Sequence, residues 1–316
     1  MCVAVDLLTM KNISLLTVIL AISLWAVSCT RAQEILVDPS LERGVVLLAP
    51  QAVDGKAVPV DTFYFGKTSK EPVWRLCQWS CRHDLRGAQA SDTEYGVEYA
   101  GESLTIARSS DGVLTMKLDA SKEYQKPRTA DEPWAHILIE TDLPFVPVNE
   151  YESLELTYSM RILKCDNLTG DDYNPTIHAA QALGYFHLTN NNPQSEDYRM
   201  GMWLGVGLYD NREPGGMLQK VMSHLDKGTQ TYIYCRPSAC FFGEGADFAD
   251  GAWHPAYVDV RETLGEALAH FKAQGLFSES DVEDFAFTSM NFGWEVPGTF
   301  DCALQAKDFS LKGRRH

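Results

Sequence analysis

The chain alternates apolar and polar residues in many short runs, which is the period-two pattern of half-buried β-strands. The run 153–164 shows it most clearly, because Leu154, Leu156, Tyr158 and Met160 share one face and polar side chains occupy the other. The pattern predicts strands at 62–67, 72–82, 113–120, 134–143, 153–164, 182–190, 202–210, 231–236, 288–296 and 299–311. Turn sequences such as "SSDG", "NREPGG" and "EVPG" separate these runs, as expected between strands.

One segment, 259–275, follows the helical period instead. Val260, Leu264, Leu268 and Phe271 form a single apolar stripe, and Gly275 ends the segment, which indicates a surface helix packed on a sheet. Many short strands with one or two surface helices predict an all-β fold, a two-sheet β-sandwich of the jelly-roll type. We expect a single domain over 33–316, in which the last strand returns close to the first.

The strand "MWLGVGLYDNR" (202–212) has an unusual composition. Alternation places the aliphatic residues 204, 206 and 208 on one face, as a core row. The other row consists of Trp203, Gly205, Gly207 and Tyr209. Glycine weakens a strand and is kept where something approaches the backbone closely. The row predicts either a groove cleared for a ligand or a face covered by another part of the protein.

Other strands carry similar faces. In "WAHILIE" His136 and Glu140 share a face, in "GYFHLTN" Tyr185 and His187 do so, and "MNFGWEV" contributes a polar row. Aromatic rings stack on sugars while polar groups bind hydroxyls and carboxylates. The predicted substrate-binding residues are Trp79, Arg82, Arg199, Trp203, Asp210, Arg212, Trp253, His254, Asn291 and Glu295. Trp253 and His254 are expected in a Gly/Pro-rich loop.

The charge and the N-terminal residues limit the location and the partners of the protein. The 316 residues have a formal net charge of −16, which argues against binding to nucleic acid. Residues 10–29 contain Lys11, an apolar run and small residues, so we predict a signal peptide over 1–32 with an upstream misassigned start. "AVSC" resembles a lipobox, which predicts an outer-membrane lipid anchor on Cys29; cleavage before Gln33 is the alternative. We expect an exported protein, either secreted or a cell-surface or periplasmic lipoprotein.

Six cysteines follow Cys29. In an exported protein they predict disulfides, and a turn between Cys235 and Cys240 makes these two the favoured pair. The spacings of the cysteines do not match a zinc site, and no motif predicts a metal or another cofactor.

Four segments resemble secreted jelly-roll carbohydrate-active proteins of polysaccharide-degrading bacteria, in particular polysaccharide lyases. These segments are "EPWAHILIE", "MWLGVGLYDNR", "GAWHPAYVDVRETLGEALAHFKAQG" and "MNFGWEVPGTFDCALQAKDFSL". The resemblance extends over most of residues 70–311. It implies a poly- or oligosaccharide substrate, and in the lyases a Tyr/His pair with Arg, Gln or Asn performs the chemistry.

Three functions are compatible with these features. The first is β-elimination on a uronic-acid-containing glycan, as a lyase or dehydratase, in which His187 and Tyr209 transfer protons and Arg212 holds the carboxylate. His136 or His178 is the alternative to His187. The second is a non-catalytic glycan-binding surface lipoprotein. The third is a glycoside hydrolase that pairs Glu140 or Glu295 with Asp210.

Overall fold

The structure is a computed structural model that describes residues 31–316. Two sheets pack face to face, and one hydrophobic core lies between them. The predicted all-β, two-sheet sandwich of the jelly-roll type is therefore confirmed. The predicted signal-peptide core and Cys29 lie outside the described residues.

Seventeen strands and two α-helices make up this part of the chain. The strands are β1 (Gln33–Glu34), β2 (Val45–Leu48), β3 (Pro59–Phe63), β4 (Trp74–Cys77), β5 (Ala90–Thr93), β6 (Gly96–Ala100), β7 (Leu104–Arg108), β8 (Leu114–Asp119), β9 (Ala135–Pro147), β10 (Tyr151–Asn167), β11 (Gln181–Asn190), β12 (Gly201–Asp210), β13 (Met222–Asp226), β14 (Thr231–Cys235), β15 (His254–Asp259), β16 (Phe285–Val296) and β17 (Phe300–Arg315). The helices are α1 (Ala239–Phe242) and α2 (Val260–Lys272). Short 3₁₀ turns occur at Ala120–Lys122, Val148–Glu150, Gly170–Asp172, Pro214–Gly216, Phe248–Asp250 and Val282–Asp284.

The first sheet has eight strands in the order β15-β10-β17-β8-β7-β6-β5, with β1 paired to β17. The second sheet has nine strands in the order β13-β14-β12-β11-β16-β9-β4-β2-β3. Only the pairs β12–β14 and β2–β4 are parallel among the described strands. Gln33 pairs with Gly313, so the last strand returns to the first, as predicted.

Alternation assigned the buried face correctly in the regular strands. On β10 the row from Leu154 to Met160 is buried in the core between the sheets. On β16 the core row contains Phe292 and Trp294, and on β9 it contains Ile137 and Ile139. The opposite faces of β9 and β16 therefore point away from the first sheet.

Alternation failed on β12, because the strand contains a β-bulge. Tyr185 of β11 pairs with Gly205, but Leu183 pairs with Leu208, so two residues of β12 oppose one residue of β11. Gly207, at the bulge, has a φ of +118°. A bulge of this kind reverses which face the following residues occupy. Tyr209 therefore packs in the core against Trp294, and the prediction that it lies beside Trp203 is wrong.

Helix α2 forms where the sequence predicted a surface helix. The Asp259 side chain caps it by accepting hydrogen bonds from the backbone N–H groups of Arg261 and Glu262, which satisfies donors left free at a helix start. The predicted stripe, including Leu264 and Phe271, is buried. In residues 31–316 no helix has the length and apolar character needed to span a membrane.

Candidate functional site

A groove lies on the outer face of the nine-stranded sheet, the face directed away from the first sheet. Its cavity has a volume of about 440 Å³. The groove is lined by Trp79, Trp134, His136, Leu138, Glu140, Gln181, Leu183, Tyr185, Trp203, Met222, His224, Asp226, Thr229, Ile233, Asn291 and Glu295. Strands β9, β16, β11 and β12 form its floor, and the hairpin β13–β14 forms one wall.

The register of the floor strands places polar residues in two cross-strand rows. In the first row Gln181 pairs with Glu295, and Glu295 pairs with His136. In the second row Tyr185 pairs with Asn291, and Asn291 pairs with Glu140. Cross-strand partners share a face of the sheet. The two glutamates therefore lie on the same floor of the groove. The apolar row that contains Leu138 and Leu183 lies between their two rows.

Glu295 and His136 form an ion pair on the floor of the groove. The His136 Nε2 atom lies 3.6 Å from Glu295 Oε2, and the Trp134 indole N–H donates to the same oxygen at 3.2 Å. Burial raises the pKa of Glu295, but His136 and Trp134 outweigh it, so that the pKa is lowered. Burial lowers the pKa of His136, but Glu295 reverses this and raises it. Glu295 is therefore ionised in the free protein.

Glu140 is held by an arginine that has a second acidic partner. The Arg75 guanidinium donates to Glu140 Oε1 from Nη2 at 2.7 Å and from Nε at 3.2 Å. It also donates to both Asp142 oxygens, at 2.6 and 2.7 Å. The Asp142 side chain is 71% exposed and lies outside the groove, whereas the Glu140 side chain is 25% exposed. Arg75 would therefore keep a carboxylate partner if Glu140 took up a proton.

Three tryptophans border the groove. Trp134 is 37% exposed and stacks over His136 with ring centroids 5.9 Å apart. Trp79 follows β4, and its carbonyl accepts a hydrogen bond from the His136 N–H at 3.0 Å. Trp203, on β12, packs edge-on against Tyr185 at 6.3 Å. Half-exposed indole rings at the margin of a polar floor are suited to stacking on sugar rings.

The wall formed by β13 and β14 supplies a third carboxylate. Asp226 lies at the end of β13 and accepts hydrogen bonds from the backbone of Gly228 and from Thr229. Its pKa is lowered, since these bonds outweigh the effect of burial. The lining residues thus include three carboxylates, Glu140, Glu295 and Asp226, but no lysine or arginine. The groove has an excess of negative charge.

The glycines of β12 make room for protein side chains. A Cβ atom on Gly205 would lie 2.3 Å from Cys235 Sγ, and one on Gly207 would lie 2.1 Å from the Tyr158 hydroxyl. Cys235 belongs to β14, and Tyr158 extends across the core from β10. The hypothesis that these glycines clear a groove for a ligand is therefore wrong, although a groove exists on this face.

Several predicted residues do line the groove: His136, Trp79, Trp203, Asn291 and Glu295. His187 lies on the same face beyond Trp203, with ring centroids 4.7 Å apart. Its Nδ1 atom is 2.8 Å from Thr288 Oγ1, and burial lowers its pKa. Asp210 is Gln181's partner on β12 and is 3% exposed. Its carboxylate is bound by Arg212 at 2.6 and 2.8 Å.

The remaining predicted residues lie elsewhere in the structure. Arg82 borders a separate cavity with Tyr124, and Arg199 is exposed in the turn between β11 and β12. Trp253 lies in the loop before β15, as predicted, but over the other sheet, where Arg161 and Lys307 each lie 4.8 Å from its ring. His254 begins strand β15 instead of lying in a loop, and it bonds to Asp250. His178 is buried and bonded to backbone groups of Arg128 and Asn174. These positions do not converge on the groove, because loops and the second sheet separate them.

Sequence reasoning missed five polar or aromatic lining residues: Trp134, Gln181, His224, Asp226 and Thr229. Trp134 begins the predicted strand 134–143, on the face of His136, and Gln181 lies one position before the predicted strand 182–190, so the same alternation would have found both. Strand β13 was not predicted, and no signal within "MSHLD" indicates that it pairs with β14 at the edge of the sheet.

The cysteines of the described residues are all free thiols. Cys235 is buried beside Gly205, whereas Cys240 is exposed on α1. The predicted Cys235–Cys240 disulfide is therefore wrong, because a helix begins where a tight turn was expected. The described residues contain no group of three or more His, Cys, Asp or Glu side chains that could hold a metal ion.

Comparison with known proteins gives fold-level likeness only. No family model and no curated protein matches the chain. Among solved structures, the endoglucanase Cel12A from Rhodothermus marinus matches with a TM-score of 0.41 and 11% identity, over 74% of this chain and 99% of that chain. A family 12 xyloglucanase from Bacillus licheniformis has a TM-score of 0.39 and 13% identity, over 73% and 99%. The xyloglucanase domain of NopAA from Sinorhizobium fredii, in complex with cellobiose, has a TM-score of 0.38 and 10% identity, over 73% and 98%.

These likenesses are too distant for any residue or activity to be transferred to this chain. The three proteins carry the names of glycoside hydrolases. The expected likeness to polysaccharide lyases is not confirmed by them.

Proposed function

We propose that the protein is a glycoside hydrolase that binds a neutral polysaccharide along the groove and cleaves it with Glu140 and Glu295. One observation carries the proposal: two glutamates lie on one floor of a groove bordered by three tryptophans. The aromatic borders supply stacking surfaces, while Asn291 and Gln181 offer amide groups to hydroxyls.

The charge of the groove favours a neutral substrate over a uronate. Three carboxylates line it without a lysine or arginine, and an anionic chain would be repelled by them. The arginine expected to hold a uronate, Arg212, is engaged by Asp210. Tyr209, expected to transfer protons in β-elimination, is in the core. The elimination hypothesis thus lacks its carboxylate clamp and Tyr209 in the groove. Of its expected proton-transfer residues, His136 does line the groove, where it is paired with Glu295.

The two glutamates are suited to different roles. Glu295 is ionised by His136 and Trp134, as a nucleophile or a base must be. The proposal assigns the role of acid, which protonates the leaving oxygen, to Glu140 as the other glutamate on the floor of the groove. The Cα atoms are four residues and one strand apart, roughly 14 Å. In the free protein the Glu295 carboxylate is turned to His136 and Trp134, and the Glu140 carboxylate to Arg75. The proposal therefore requires both side chains to turn toward each other on a bound sugar, until the carboxyl groups reach the ~6.5–9.5 Å separation used for cleavage with inversion.

The test measures new reducing ends on neutral glycans, such as xyloglucan and β-glucan, beside anionic glycans such as alginate and pectate. We expect hydrolysis of a neutral chain without an ultraviolet-absorbing unsaturated product. Glu295→Gln and Glu140→Gln should each lower the rate by about 10²–10⁴ while binding persists. Glu98→Gln is the matched control, because Glu98 lies on β6 of the first sheet, away from the groove, and its replacement should keep most of the rate.

If the protein binds a neutral glycan but produces no new reducing ends, the proposal of hydrolysis is rejected. The alternative hypothesis, a non-catalytic glycan-binding protein, then remains. An unsaturated product from alginate or pectate would instead reject the charge argument and restore β-elimination. Affinity electrophoresis in gels that contain each glycan separates binding from turnover.

A further inference from the structure

Cys165 and Cys302 face each other across two adjacent strands. They are register partners in the antiparallel pair β10–β17, and their sulfur atoms are 3.9 Å apart. Directly opposed residues of antiparallel strands have Cα atoms about 4.5–5.5 Å apart. A disulfide accepts Cα separations of about 4.4–6.8 Å. The two thiols can therefore be joined without a rearrangement of the backbone.

The two thiols differ in access. Cys302 is fully buried, whereas Cys165 is half-buried and lines a second cavity of about 520 Å³. Tyr209 and Phe248 also line this cavity, which is separate from the groove on the nine-stranded sheet. A small molecule can thus approach Cys165, while Cys302 is reached only through Cys165.

The two thiols also differ in reactivity. The Cys302 thiol donates a hydrogen bond to Cys165, and this bond outweighs burial and lowers the pKa of Cys165. The Tyr209 hydroxyl adds a second hydrogen bond with the same effect. Burial raises the pKa of Cys302. Because the thiolate is the nucleophile, Cys165 is the attacking group.

We propose that Cys165 and Cys302 form a redox-active dithiol that is converted to a disulfide by exchange with a low-molecular-weight disulfide. The Cys165 thiolate attacks one sulfur of that disulfide, a Cys165 mixed disulfide forms, and the first small thiol leaves. Cys302 then gives up its proton and attacks the Cys165 sulfur, which releases the second small thiol. Two protein thiols are oxidised, one disulfide is reduced to two thiols, and these take up the two protons.

The cavity selects the oxidant by charge. Asp166, Glu213 and Asp250 lie around it, and Lys164 is already paired with Asp301 and Asp166. An uncharged disulfide should therefore react several-fold faster than the anionic glutathione disulfide at low ionic strength. Added salt should reduce that ratio.

The experiment exposes the reduced full chain to 2-hydroxyethyl disulfide, alkylates the remaining thiols under denaturing conditions and maps the peptides by mass spectrometry. We expect linked Cys165 and Cys302 peptides, with the buried Cys77, Cys81 and Cys235 alkylated. Cys302→Ser should leave Cys165 as a mixed disulfide with the small thiol. Cys165→Ser should leave Cys302 unreacted.

Cys240→Ser is the matched control, because it removes the exposed thiol of α1 and should not affect the cross-link. Alkylation of both Cys165 and Cys302 in wild-type protein whose Cys240 has reacted would overturn the proposal. Linkage of either cysteine to a different partner would also overturn it. Circular dichroism shows whether each variant is folded. If a variant does not fold, the peptide map of the wild-type protein alone decides whether the Cys165–Cys302 disulfide forms.

Discussion

The substitution Gly205→Ala tests whether the glycine row of β12 serves the fold or a ligand. The added Cβ would lie 2.3 Å from Cys235 Sγ and 3.1 Å from Cys235 Cβ. Both residues are buried on neighbouring parallel strands, at paired positions. Either the Cys235 Sγ atom must move to another rotamer within a buried site or one of the two strands must shift by about 1 Å, since nonbonded carbon atoms pack at ~3.5–4.0 Å. Such overpacking costs about 1–3 kcal/mol.

For a chain of this size the expected fall in melting temperature is ~2–5 °C, measurable by calorimetry or circular dichroism. The double variant Gly205→Ala/Cys235→Ala removes the sulfur and leaves only the 3.1 Å contact. The cost of the double variant should be lower than the sum of the two single costs by about 1–2 kcal/mol. This non-additivity identifies Cys235 as the group that requires glycine.

Gly265→Ala is a control in which the same substitution should raise the stability instead of lowering it. Gly265 lies within α2, and an added Cβ would meet Val282 Cγ2 at 3.7 Å, an ordinary contact. Alanine in a helix interior is more stable than glycine by about 1 kcal/mol, so the melting temperature should rise. An unchanged melting temperature for Gly205→Ala, together with lost glycan binding, would refute the packing argument and restore the ligand explanation.

Three further predictions follow from the ion pairs and the core. His136→Gln should destabilise the protein by about 1–2 kcal/mol. The loss of stability should be largest between about pH 4.5 and 6.5. The lowered pKa of Glu295 contributes stability fully only above the pKa of the unfolded glutamate, and the raised pKa of His136 contributes it fully only below the pKa of the unfolded histidine. Equal losses at pH 5.5 and 8.5 would contradict this prediction. Tyr209→Phe should leave glycan binding and turnover unchanged, since Tyr209 packs on Trp294 away from the groove; a hundred-fold loss of rate would show a role in chemistry. Arg212→Ala should cost about 1–3 kcal/mol in urea denaturation, because Asp210 stays buried while water replaces the partly exposed guanidinium.

The local pattern predicted whatever depends on neighbouring residues alone. Alternation identified the core rows of β9, β10 and β16, because the side chains of a regular strand point to opposite faces in turn. It also placed His136 and Glu140 on one face of their strand and Glu295 on the polar face of another strand; only the structure shows that the two strands are neighbours. The apolar stripe and the Asp259 cap of α2 are equally local, so the helix was predicted from the chain.

Only the tertiary structure decided what depends on residues that are distant along the chain. The bulge at Gly207 reverses Tyr209, and the space beside the two glycines of β12 is filled by Tyr158 and Cys235 from other strands. Asp226 reaches the groove because the β13–β14 hairpin folds along the sheet edge. Cys165 meets Cys302 across 137 positions of sequence. Strand pairing brings these groups together through backbone hydrogen bonds that any residue except proline can make. The side chains near a given position therefore do not specify which strand pairs with it. A single sequence shows which residues share a face of a strand more fully than it shows which strands are adjacent in a sheet.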